Sequence, residues 1–225
     1  MSAGIKGILK SAVTVPLLLG SYYGGAGRLD LWPGYAYVAF LIAGGSSAYW
    51  LMKRSSPDLL EERVAAGKGA KRWDIPLVLW ISILGPMCTC AVAGLDARFH
   101  GTPAADWTTL SGYALGLAGI AVTLAAIAAN RFFSAVMRIQ TDRGHAVAST
   151  GPYAVVRHPG YAGMLLLTAG APLMLASTWA WIPCAVTVAM ILLRTTIEDA
   201  TLRRELPGYE EYTAQTRSRL IPGIW

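Results

Sequence analysis

Residues 108–130 read TTLSGYALGLAGIAVTLAAIAAN, a stretch without a charged residue that is long enough to cross a lipid bilayer as one helix. Five further apolar stretches occur along the chain, at residues 8–24, 32–52, 75–95, 161–176 and 179–193. The last two are short and are separated by little more than Ser177 and Thr178, which predicts a tight helical hairpin. Together the stretches predict an all-α, polytopic membrane protein with about five or six transmembrane helices.

The composition excludes most other classes of protein. Of the 225 residues, 54% are hydrophobic and only 14% are charged, and the mean hydropathy of +0.45 is too high for a soluble domain. The apolar residues form long blocks broken by Gly and Pro, which excludes coiled coil, collagen and disorder. Cys88, Cys90 and Cys184 lie inside apolar blocks without the spacing of a zinc or redox motif, so we expect neither a disulfide framework nor a metal site.

The basic residues predict the orientation of the chain. All of the 19 Lys and Arg residues except Arg28 and Arg98 fall in segments on one side of the predicted helices. The positive-inside rule makes that side cytoplasmic, together with both termini. The net charge of +6 is explained by this topology, so we expect no nucleic-acid partner. The Ala- and Arg-rich composition favours a bacterial inner membrane. Residues 8–24, interpreted here as the first transmembrane helix, have a signal peptide as their alternative interpretation.

The topology predicts two regions of different purpose. Residues 1–130 form N-terminal transmembrane helices with a cytoplasmic connector at 53–74, which we interpret as a surface helix at the lipid headgroups. Residues 131–225 contain a proline-rich loop, the hairpin at 161–193 and a C-terminal segment, and any catalytic chemistry would lie in the cytoplasmic parts of this region. At the start of this region, Phe132, Phe133, Val136 and Ile139 recur at helical spacing, so we expect the fourth helix to continue to about Gln140.

The proline-rich loop reads GPYAVVRHPGY at residues 151–161. Gly151 and Pro152 form a turn, and His158 is excluded from helical geometry because Pro159 follows it. This predicts a rigid, non-helical segment beside the start of the fifth helix. Irregular backbone near a membrane is tolerated only where protein covers it or a cavity needs it. The alternative is structural, with Arg157 as a lipid anchor and His158 as a helix cap.

The C-terminal segment carries charges at helical spacing where the sixth helix leaves the membrane. Arg194 and Glu198 are four residues apart, as are Asp199 and Arg203. An Arg that precedes a Glu is the weaker order for a helix ion pair, so stabilisation alone is a poor reason for Glu198. A carboxylate at the hydrocarbon edge needs a partner, which makes Glu198 a candidate functional residue. The alternative is a structural ion pair.

These segments together resemble a known family. Gly151-Pro152-Tyr153, Arg157-His158-Pro159, Tyr161 and Gly163 are followed by Arg194, Glu198-Asp199, Leu202 and the Gly-Tyr-x-x-Tyr sequence at 208–212. This compound pattern, between residues 130 and 222, resembles the isoprenylcysteine carboxyl methyltransferase (ICMT) family, which forms one broad group with the phospholipid methyltransferases. The family's Glu-Glu pair is Glu198-Asp199 here, and the N-terminal half, where acceptor choice would lie, shows no matching pattern.

The resemblance implies an S-adenosylmethionine-dependent methyltransferase that releases S-adenosylhomocysteine. By this likeness the cofactor pocket would contain Gln140, Tyr153, His158, Tyr161, Arg194 and Glu198, and the catalytic residues would be Arg157 and Glu198. Arg194 and His158 would hold polar groups of the cofactor, and Arg157 would orient the acceptor. Glu198 would either accept a hydrogen bond from the cofactor or pair with Arg157.

The expected acceptor is a lipophilic small molecule or lipidated group that reaches the site from the lipid bilayer. A prenylcysteine carboxylate, a lipid amine and a hydrophobic thiol all fit this description. One alternative is a membrane reductase of sterol-reductase-like architecture that uses a nicotinamide cofactor. A second is a non-catalytic lipid-binding component or transporter subunit, which would be expected to place ionisable residues in the middle of the bilayer. The central turns of the apolar stretches contain none.

Overall fold

The computed structural model describes residues 3–64, 69–102 and 105–225, with the backbone alone at 3–12 and at 64. The helices are α1 (Ala3–Ala26), α2 (Trp32–Ser55), α3 (Pro57–Val64), α4 (Asp74–Leu79), α5 (Gly85–His100), α6 (Trp107–Ala129), α7 (Pro159–Met174), α8 (Trp181–Glu205) and α9 (Tyr209–Gln215). A π-helical turn, Trp80–Leu84, joins α4 to α5 in one continuous helix. The described part contains no strand, which confirms the all-α prediction.

Three helices in the described part of the chain have the length and the apolar composition to span a bilayer. They are the continuous helix Asp74–His100, Trp107–Ala129 and Trp181–Glu205. Helix α7 has 16 residues and a length of about 24 Å, which is shorter than a hydrocarbon core of about 30 Å. It forms the expected hairpin with α8 across residues 175–180.

Glycines allow α6 and α7 to pack with their backbones in close contact. A Cβ atom on Gly119 would lie 2.5 Å from the carbonyl oxygen of Gly163, and one on Gly170 would lie 2.7 Å from the carbonyl oxygen of Gly112. Any larger residue would therefore push the two helices apart. This contact fixes the end of α6 beside the start of α7, where the proline-rich loop lies.

The prediction that the fourth helix continues to about Gln140 is wrong, because α6 ends at Ala129. The side chain of Asn130 caps the chain there by accepting a hydrogen bond of 2.8 Å from the backbone N–H of Phe132. Residues 130–140 then form an irregular segment whose backbone groups bond to distant parts of the chain. The backbone N–H of Met137 donates to the carboxylate of Asp74 at 2.6 Å, and the carbonyl of Met137 accepts from the backbone N–H of Lys71 at 2.9 Å.

The orientation in the membrane stays a prediction. Part of its basis, the side chains of Lys6 and Lys10 and the residue Lys68, lies outside what the structure describes.

Candidate active site

A cavity of about 490 Å³ lies between the π-helical turn, the segment at 130–148, the proline-rich loop and α8. All seven residues singled out by the sequence line it: Gln140, Tyr153, Arg157, His158, Tyr161, Arg194 and Glu198. Cavities that bind small molecules and cofactors have volumes of about 300–1,000 Å³. The residues of the sequence pattern therefore meet at one cavity of suitable size.

The proline-rich loop is held in place by the C-terminal end of the chain. The backbone N–H groups of Arg157 and His158 donate to the carbonyls of Ser218 and Arg219, each at 2.9 Å. The loop includes a 3₁₀ turn at Gly151–Ala154 and ends at His158, after which Pro159 opens α7. The two segments that the sequence expects to enclose a site are thus in direct contact.

Asp199 on α8 is the buried anchor of this loop. Its carboxylate accepts hydrogen bonds of 2.8 and 3.1 Å from the guanidinium of Arg157, and its side chain is 1% exposed. Three further groups lie within 3.2 Å of it: the His158 ring, the Tyr209 hydroxyl and the Arg219 guanidinium. Arg157 therefore pairs with Asp199 and not with Glu198, which was the partner considered from the sequence.

Glu198, the neighbour of Asp199, has a different environment. One of its oxygens accepts a hydrogen bond of 2.6 Å from the Tyr161 hydroxyl, and the other lies 3.9 Å from the His158 ring. Its side chain is 19% exposed and lines the cavity. Because successive residues of a helix point in different directions, one carboxylate locks the loop and the other is left for the cavity.

Arg194 is fastened to a residue that the sequence pattern did not single out. Its guanidinium donates to Asp74 at 2.6 and 3.0 Å, and also to the carbonyl of Ala135 at 3.2 Å. Asp74 opens α4 and is fully buried. Its role could not be found by motif, because α4 lies in the half of the chain without a family pattern. Arg194 also stacks on Tyr161, 5.2 Å from the ring centroid.

Gln140 and Tyr153 form a further part of the cavity wall. Gln140 is fully buried, donates to the carbonyl of Phe132 at 2.9 Å and accepts from Arg143. The Tyr153 hydroxyl accepts from Asn130 at 3.2 Å, and burial raises the pKa of Tyr153, so its phenol stays neutral. Both residues are thus held by neighbours while part of each faces the cavity.

His145 also lines the cavity, although it is not among the seven residues singled out by the sequence. The N–H of Gln140 donates to its Nδ1 at 3.2 Å, and its ring lies 4.7 Å from that of Phe132. Burial, with the nearby Arg138 and Arg143, lowers the pKa of His145 to about 4. The ring is therefore a neutral imidazole near pH 7, with its second nitrogen as the donor.

One wall of the cavity is apolar. It is lined by Ile75, Val78, Leu79, Ile83 and Met164. Ile75 and Leu79 are 53% and 46% exposed, so this wall is continuous with the apolar outer surface of α4. Within the described ranges, no group of three metal-ligating side chains occurs, and the cavity is lined instead by aromatic, apolar and charged groups.

Residues 107–207 match the family model described as phospholipid methyltransferase. Two rice proteins, from Oryza sativa subsp. indica and subsp. japonica, are each 29% identical to this chain over 99 residues. Each is named probable protein-S-isoprenylcysteine O-methyltransferase. The aligned part is 43% of this chain and 52% of each relative, so the chain spans about half the length of the curated relatives it matches. The matched region contains α6, α7 and all seven residues singled out by the sequence.

Proposed function

We propose that the chain is an integral membrane methyltransferase that uses S-adenosylmethionine, because residues 107–207 match the phospholipid methyltransferase family model and resemble two probable protein-S-isoprenylcysteine O-methyltransferases. The methyl acceptor is a lipophilic molecule or lipidated group, and S-adenosylhomocysteine is the second product. The single observation that carries this proposal is the convergence of the seven family-like residues on one cavity of about 490 Å³.

The groups in the cavity fit this cofactor. When bound, S-adenosylmethionine supplies a methyl group on a positively charged sulfur. The carboxylate of Glu198 offers a countercharge, and Tyr153 and Tyr161 give the same cavity an aromatic lining, which suits a cation that is short of water. The residues that would hold the cofactor are Gln140, Tyr153, His158, Tyr161, Arg194 and Glu198.

The chain contributes mainly position and dehydration. Methyl transfer is a displacement that needs two reactants in line, and positioning of this kind supplies about 7–11 kcal/mol. Asp199 holds the proline-rich loop, and Asp74 holds the segment at 130–140, so both walls are rigid. The apolar wall beside α4 excludes water from the reacting groups.

Arg157 and Glu198 have separate roles in this proposal. The Nε and Nη2 atoms of Arg157 donate to Asp199, and its Nη1 donates to the carbonyls of Thr216 and Arg217 at 2.9 and 2.6 Å. Arg157 is therefore a positioning residue, which supports activity by holding the loop. Glu198, whose side chain lines the cavity, would contact the ligands directly.

The acceptor enters from the lipid along the apolar wall. Ile75 and Leu79 connect the cavity to the outer surface of α4, where a lipid chain would lie. A prenylcysteine carboxylate, a lipid amine and a hydrophobic thiol all suit this route. The chain would have no nucleic-acid partner.

The proposed topology has five or six spans in a bacterial inner membrane. Helices α1 and α2 have 24 residues each, or about 36 Å, which supports this count by length. The basic segments, both termini and the cavity would face the cytoplasm.

Mass spectrometry of a native membrane extract tests the function. The purified protein is incubated with the extract and with S-adenosylmethionine that carries a deuterated methyl group. We expect the label in a lipophilic product with the wild type and not with Glu198→Gln. Absence of any labelled product would refute the proposal, and reduction of an extract lipid with NADPH would favour the reductase instead.

A further inference from the structure

The arginines around the cavity differ in how their charge is balanced. Among the described residues, four arginines line the cavity, and three of them are paired with a carboxylate: Arg138 with Glu62, Arg157 with Asp199 and Arg194 with Asp74. The fourth is Arg63, at the end of α3. Within the described ranges, no carboxylate lies within 4.0 Å of its guanidinium.

Arg63 nevertheless has a defined position. Its Nη1 donates to the carbonyl of Phe133 at 2.9 Å, and its guanidinium lies 5.4 Å from the centroid of the Phe133 ring. Burial, together with the charge of nearby Arg194, lowers the pKa of Arg63 to about 10, so it still carries a full charge at neutral pH. Arg63 is partly buried, and a partly buried guanidinium without an anionic partner gains from the arrival of one.

The same cavity holds an anion in the complementary situation. Glu198 is the one carboxylate among the described lining residues, and no guanidinium or ammonium of the described chain pairs with it. The cavity therefore presents an arginine without a carboxylate partner and a carboxylate whose nearest basic group among the described residues is the His158 ring at 3.9 Å, with no arginine or lysine within 4.0 Å. Such a site suits a ligand that carries both a positive group and a carboxylate.

We propose that Arg63 binds a carboxylate of the ligands in this cavity. The inference rests on the proposed function, in which two molecules could supply that group: the amino-acid end of the methyl donor, or an anionic acceptor. Arg63 lies outside the matched region 107–207, so the connector would contribute a binding residue to the site.

The first arm of the test measures binding of S-adenosylhomocysteine by isothermal titration calorimetry in nanodiscs. Arg63→Gln can keep the bond to Phe133 but removes the charge, and Arg72→Gln on the exposed surface is the matched control. If the donor supplies the carboxylate, we expect Arg63→Gln to bind S-adenosylhomocysteine about tenfold or more weakly than the wild type. Arg63→Lys should restore part of the lost affinity. Binding of 5′-methylthioadenosine, which lacks the amino-acid group, should not change.

The second arm compares S-farnesyl-N-acetylcysteine with its carboxamide as acceptor probes. A preference of the wild type for the acid that Arg63→Gln abolishes would assign the carboxylate to the acceptor. Either pattern supports the proposal. It is overturned if the wild type and Arg63→Gln bind S-adenosylhomocysteine equally well and also bind S-farnesyl-N-acetylcysteine equally well. Failure of the wild type to bind S-adenosylhomocysteine would count against the proposed function, while this second arm would still test Arg63.

Thermal unfolding separates binding from a structural role. Because no carboxylate of the described chain balances Arg63, Arg63→Gln without ligand should unfold at the same temperature as the wild type or higher. A clear fall in that temperature would show that Arg63 holds the fold, and would overturn the proposal.

Discussion

Asp199→Asn is expected to destabilise the fold far more than Glu198→Gln, although the two residues are neighbours on α8. Asp199 and Arg157 are both buried and share two hydrogen bonds. Glu198 borders the cavity and is held by the Tyr161 hydroxyl. The same change, from carboxylate to amide, therefore removes a structural charge at one position and a ligand-facing charge at the next.

The environments give different magnitudes. Asp199→Asn leaves the guanidinium of Arg157 buried without a carboxylate, and breaking a buried pair in this way costs about 3–5 kcal/mol. For a chain of this size, each kcal/mol lowers the unfolding temperature by about 2–4 °C, so we expect a fall of about 6–20 °C. Glu198→Gln keeps an oxygen that accepts from Tyr161, and its cost should be below about 1 kcal/mol.

The assay is thermal unfolding of both variants in the same detergent, followed by circular dichroism. Asp142→Asn is a control, because Asp142 is exposed and its ion pair with Arg138 should contribute less than about 1 kcal/mol. Equal unfolding temperatures for Asp199→Asn and Asp142→Asn would refute the assignment of Asp199 as the anchor of the loop.

Three further predictions follow from the packing and the charges. The free energy of unfolding should fall as the pH is lowered from about 6.5 towards 4, since unfolded His145 binds a proton in that window and folded His145 does not. The same pH series with His145→Asn should show a smaller fall in the free energy of unfolding, and an identical fall would contradict this prediction. Gly119→Ala should lower the free energy of unfolding by about 1–3 kcal/mol, whereas Gly45→Ala, which has open space around its Cβ position, should leave it unchanged or raise it slightly. Equal effects of the two substitutions in the unfolding assay would argue against the close contact of α6 and α7. A double-mutant cycle of Asp74→Asn and Arg194→Gln should give a coupling energy of at least about 1 kcal/mol, and additive effects would exclude the buried pair.

The sequence predicts the helices well because membrane helices depend on length and apolarity alone. The uncharged stretch at 108–130 corresponds to α6, and Pro159 marks the start of α7 as expected. The family-like residues also meet in one cavity, because the loop at 151–158 and α8 are each defined by short-range patterns.

The errors arise where long-range contacts replace local ones. Phe132, Phe133 and Val136 have helical spacing, yet the chain there is irregular because Asn130 ends the helix and Asp74 accepts a backbone N–H group. The difference between Glu198 and Asp199 was equally hidden, since spacing cannot show which of two adjacent carboxylates meets a buried arginine.

Equilibrium binding of S-adenosylhomocysteine to the purified protein in nanodiscs is the most direct test of the cavity as a methyl-donor site. We predict one site with a dissociation constant in the micromolar range, about tenfold to a hundredfold weaker in Glu198→Gln, and no comparable binding of NADPH. Absence of binding by the wild type, or equal binding by Glu198→Gln, would contradict this assignment.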